Sequence, residues 1–183
     1  MTKVSVTPEV FSFVSYDSGE IAAVVRDLAE RLVVANPIIV AVDETTPLSR
    51  MSAMLLDADG DATISIRVQS GALEDTRRFT NFSATNAALS LGRMLLRARD
   101  RLRDDFVDAP ADSDLSLAEN AAWDAYCAGR LERVGLAPNE QRFRYNFRNR
   151  FGFADDVDTT FDRLWAADDL GWHDLPRPTS DLD

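Results

Sequence analysis

The chain has 183 residues, with 31 acidic against 20 basic side chains and a net charge of −11. Its single cysteine, Cys127, and single histidine, His173, exclude an internal disulfide and any Cys- or His-rich zinc site. An apolar share of 45% provides for a sizeable core and excludes wholesale disorder.

The N-terminus reads Met1-Thr2-Lys3-Val4 and then alternates apolar with polar residues, without the pattern of a secretory signal. Val10–Tyr16 is β-branched and aromatic and predicts a strand. Asp17 stands three residues before Glu20 as an Asp-led capping box, with Tyr16 and Ile21 at the staple positions. Ile21, Val24, Val25, Leu28 and Leu32 follow at helical spacing, so 18–35 is an amphipathic helix ended by Asn36-Pro37. The run Pro37–Val42 is continuously apolar, the pattern of a strand covered on both faces. Strand, helix and strand with short joints make a βαβ unit.

Met51–Leu56 and Ala62–Val68 flank Asp59-Gly60, a hairpin signal because a tight two-residue turn needs positive φ. Ser83–Arg103 carries Ala84, Ala88, Leu91, Leu95, Ala98 and Leu102 as one helical stripe. The order helix, small sheet with hairpin, long helix also outlines small zincin-type metallopeptidases, but their two zinc histidines have no counterpart here. Residues 104–114 hold five Asp and no base, as a linker would. Ser116 and Glu119 make a capping box for a helix ending at Gly135, and Asp156 is placed to cap another.

The expected fold is therefore α+β. A small mixed sheet, βαβ plus hairpin, and a long amphipathic helix form a core domain over 1–103. An acidic linker (104–114) follows, then a helical subdomain (115–173) packed on the core, and a flexible tail (174–183).

Three groups of residues are candidate sites. Gln141–Phe153 (QRFRYNFRNRFGF) offers Arg142, Arg144, Arg148 and Arg150 with Tyr145 and four phenylalanines, and no acid. Guanidinium groups pair with carboxylates or phosphates, and aromatic faces stack on bases. The competing structural reading buries Phe143, Phe147 and Phe151 as a helical stripe and pairs the arginines with the Asp-rich segment that follows. The segment reads as a helix, although its odd positions also alternate as a strand would. The second group is the ladder Arg93, Arg97 and Arg101, which could receive an acidic partner or simply offset the helix dipole in water. The third is Asp17, Asp43 and Glu44, which a parallel unit places beyond its strand ends, where Mg²⁺ or acid–base chemistry could be housed.

The leading expectation is a non-enzymatic protein-interaction or regulatory protein, cytoplasmic, with a protein partner or self-association, no cofactor and no membrane contact. The alternatives are a carboxylate-based ligand-binding protein or hydrolase, and nucleic-acid or anionic-ligand binding through 142–153. Net charge weighs against nucleic acid, since residues 1–103 carry −1, 104–114 −5, 115–154 +2 and 155–183 −7.

Overall fold

A computed structural model describes residues 2–58 and 61–177 and shows an α+β architecture. The chain divides into two compact units, Met1–Arg99 and Asp100–Asp183. In the first, β1 (Val4–Thr7), α1 (Ser18–Arg31), β2 (Ile38–Asp43), β3 (Met51–Ala58) and β4 (Asp61–Gln69) build a sheet in the order β1-β2-β4-β3. β1 and β4 run parallel to β2, and β3 closes antiparallel on β4. A two-stranded ribbon, β5 (Glu74–Asp75) and β6 (Arg78–Phe82), leads into α2 (Ala84–Asp100). The Asp59-Gly60 turn lies outside the described residues.

Register puts Val6, Val40, Ile66 and Ala53 in one row across the sheet, all buried, with Ile38 and Ile64 beside them. The next row, Thr7, Ala41, Arg67 and Ser52, is partly or fully exposed. The sheet therefore buries one face. The apolar run 37–42 suggested two covered faces, but Ile39 and Ala41 are only half-buried beside Ser65 and Arg67.

The first strand also differs from expectation. It is Val4–Thr7, whereas 10–16 forms bends with isolated bridges, Val10 to Asp17 and Ser15 to Asn81. Pro8 has no N–H to continue the ladder, so the strand stops there. The aromatic residues of the segment pack instead: Tyr16 meets Phe11 and Phe82 edge-on, both at 5.7 Å. The Tyr16 hydroxyl donates to Ser70 O at 2.8 Å, and burial with the nearby Glu74 carboxylate pushes its phenol up to about 12.

The second unit holds α3 (Leu117–Arg133), α4 (Glu140–Phe151) and α5 (Asp155–Ala166). Ser116 caps α3 in a full capping box with Glu119. The acidic segment 104–114 is structured: Asp104–Phe106 forms a 3-10 turn, and buried Phe106 packs on Trp123 at 5.2 Å. Trp172 joins the same group, 5.3 Å from Trp123. The helix expected to be capped by Asp156 is capped two residues earlier, by Ala154, which offers no side-chain bond. Its first turn carries Asp155, Asp156 and Asp158, whose charges favour the positive end of the helix dipole, so a polar cap is dispensable. Leu175 is buried, and residues 178–183 of the expected tail lie outside the described residues.

Candidate functional site

The carboxylate group is dispersed into local work. Asp17 caps α1 by accepting from Glu20 N at 2.9 Å. Asp43 Oδ1 accepts from Thr45 N at 3.0 Å and Thr45 Oγ1 at 2.7 Å. Hydrogen bonds from the Thr46 and Thr45 hydroxyls hold its carboxyl below the usual carboxylate range. Glu44 Oε2 accepts from Ser12 N at 2.7 Å and Phe13 N at 2.6 Å, fixing the segment that leads to α1. Among the described residues no three His, Cys, Asp or Glu side chains form a group that could hold a metal ion.

The Arg ladder, with Arg93 and Arg97 on α2 and Arg101 in the turn just past its end, is drawn into the protein rather than spread in water. Arg97 is only 3% exposed, and Arg93 Nε donates to Leu89 O at 3.3 Å. Arg101 pairs with Asp112 at 2.8 Å and lies 4.6 Å from the centre of the Trp123 ring. Arg99 Nη1 donates 2.8 Å to Leu32 O at the end of α1, satisfying a carbonyl that the helix leaves open.

At the end of α2 stands a polar centre that the composition did not announce. Asp100 is 0% exposed and accepts from Arg130 Nη1 at 2.7 Å and Nη2 at 2.6 Å, a bidentate pair. Trp123 Nε1 donates to the same carboxylate at 2.8 Å. The Arg130 guanidinium lies 3.8 Å from the centre of the Tyr126 ring, and its Nη2 is 3.4 Å from Cys127 Sγ. Cys127 is buried. Arg130, which directly follows Ala125–Gly129 on the buried stretch of α3, was the available signal, because a charge on an apolar face requires a buried partner.

The Arg-aromatic segment is the helix α4, and its residues divide by face. Phe147 is fully buried, stacked on Phe151 at 4.4 Å and edge-on to Phe161 at 5.8 Å. On the same side, Arg148 grips Asp158 with two bonds, Nε to Oδ1 at 2.7 Å and Nη2 to Oδ2. That grip holds the Asp158 carboxyl below the usual range. Arg144 bonds Glu140 at 2.7 Å and also Asp162, with its guanidinium 4.3 Å from the Phe161 ring centre. These two arginines thus fasten α4 to α5.

Arg142, Tyr145, Asn146, Asn149 and Arg150 occupy the opposite face, and all are exposed. No ion pair of Arg142 or Arg150 occurs among the described residues. Gly152, at φ 108°, ends the helix in a conformation that side-chain-bearing residues rarely adopt. The turn it makes brings Phe153 against Tyr145, rings 6.5 Å apart and edge-on. Tyr145 is 63% and Phe153 65% exposed, so the pair stands in solvent. The result is one continuous surface of two cations, two amides and two aromatic rings.

Compared with known proteins, the chain matches no family model, no curated protein and no solved structure. No described helix is long and apolar enough to cross a membrane. Of the other singled-out residues, His173 is exposed, with Nε2 3.1 Å from Asp108 Oδ2. Trp165 donates to Glu132 at 2.8 Å and stacks on Phe161.

Proposed function

We propose that the chain is a non-enzymatic protein-interaction or regulatory protein whose recognition surface is the outward face of α4. The observation that carries this reading is the division of the α4 arginines. Arg144 and Arg148 are matched to acids of the same unit, whereas Arg142 and Arg150 stand exposed beside an exposed aromatic pair. Exposed Arg and Tyr at the centre of a patch are the residue types that dominate binding at protein interfaces. A fold that needed these side chains only for stability would bury the rings and pair the cations. The carboxylate alternative has less support, since Asp17, Asp43 and Glu44 each have a sufficient structural task.

The test is in-cell photo-crosslinking from a benzophenone amino acid placed at Asn146. Discrete protein adducts are expected, and they disappear when Arg142→Glu and Arg150→Glu are introduced together without change in the thermal melt. Adducts indifferent to the charge reversal, or adducts removed by nuclease, overturn the reading.

A further inference from the structure

Resting on that surface, the geometry points to its partner: a short acidic protein segment presenting two carboxylates about 12 Å apart, with an apolar side chain between them. The spacing follows from the eight positions that separate Arg142 from Arg150, each advancing about 1.5 Å along the helix. Both guanidinium groups offer the fork that a carboxylate accepts with two parallel bonds. Between them lie Tyr145, Asn146 and Asn149, and the Tyr145–Phe153 pair supplies an apolar seat beside amides that can donate or accept. An extended peptide rises about 3.3 Å per residue, so acids four positions apart reach both arginines.

Charge selects the class of partner. The face holds no acid, and exposed Asp155 and Asp156 stand two and three residues beyond Phe153. The cationic strip is therefore short and meets carboxylates at its C-terminal end. The unit that bears it, residues 100–183, has 19 acidic and 10 basic side chains. A nucleic acid, with a charge at every nucleotide, would run off the strip onto those carboxylates and be repelled. A protein segment with two placed carboxylates pairs only with the strip. Arg144 and Arg148 do not compete for it, because Asp158, Asp162 and Glu140 already occupy them.

The experiment is selection of a random dodecapeptide display library on the immobilised full-length chain. Enriched sequences are expected to carry two acidic residues four apart around an aliphatic or aromatic one. Their binding should fall at least tenfold on Arg142→Glu/Arg150→Glu, and equally when the peptide's acids become amides. A dodecamer of single-stranded DNA is expected to bind at least tenfold more weakly than the enriched peptides. Tighter binding of that oligonucleotide overturns the proposal. Peptides without an acid pair that are lost on Tyr145→Ala/Phe153→Ala overturn the acidic partner but leave the recognition face standing. If no peptide responds to either variant, both fall.

Discussion

Replacing Asp100 with alanine is expected to cost the second unit about 3–5 kcal/mol, the penalty for stranding a buried guanidinium without its counter-charge. Arg130, only 3% exposed, would keep its charge and lose the carboxylate that both its terminal nitrogens donate to, and Trp123 Nε1 would lose that acceptor too. Domains of this size are stable by about 5–15 kcal/mol, so the loss is a large fraction of the total. All three tryptophans, Trp123, Trp165 and Trp172, belong to this unit, so urea unfolding followed by tryptophan fluorescence reports it selectively. Asp100→Asn should also destabilise, because its amide N–H₂ faces the guanidinium donors. The double variant Asp100→Leu/Arg130→Met, which removes both charges, should regain most of the loss. A loss below about 1 kcal/mol for Asp100→Ala would show that the pair is hydrated in solution.

Gly129→Ala carries the second large effect, with a sign opposite to helix propensity. In a solvent-facing helix the change would stabilise by about 1 kcal/mol. Here an added Cβ would sit 2.0 Å from the Trp165 carbonyl oxygen of α5 and 2.7 Å from its carbon. Backbone cannot rotate aside, so α3 and α5 must separate. The same carbonyl accepts from Arg133 Nη1 at 2.6 Å, and Arg133 also bonds Ala167 O and Asp168, closing the end of α5. Separation weakens all of these together. A net loss of about 2 kcal/mol or more is expected, read as a fall of roughly 10 °C in the fluorescence melt. An unchanged or raised melting temperature would mean that the helices are not in backbone contact.

The features legible in the sequence are those set by local chemistry. The Asp17 cap, the Ser116 capping box, and the helices begun by them follow from residues within four positions of each other. The apolar stripe Phe143, Phe147 and Phe151 likewise marked α4 as a helix. Strand placement failed where long-range packing decided it: Phe11 and Tyr16 look like strand residues but are held by Phe82. The arginines were legible as a group and not as individuals. Helical phase separates Arg142 and Arg150 from Arg144 and Arg148, but only the position of α5 shows which pair meets acids. The Asp100–Arg130 pair spans 30 positions, beyond any local pattern.

In the proposed function, α4 carries two arginines for the fold and two for a partner. Thermal unfolding of Arg142→Ala/Arg150→Ala beside Arg144→Ala/Arg148→Ala tests it most directly. The outer pair should change stability by no more than about 0.5 kcal/mol, as exposed substitutions do. The inner pair should lower it by about 1–2 kcal/mol, through lost ion pairs and lost packing on Phe161. An outer pair that destabilises as much as the inner one would contradict the claim.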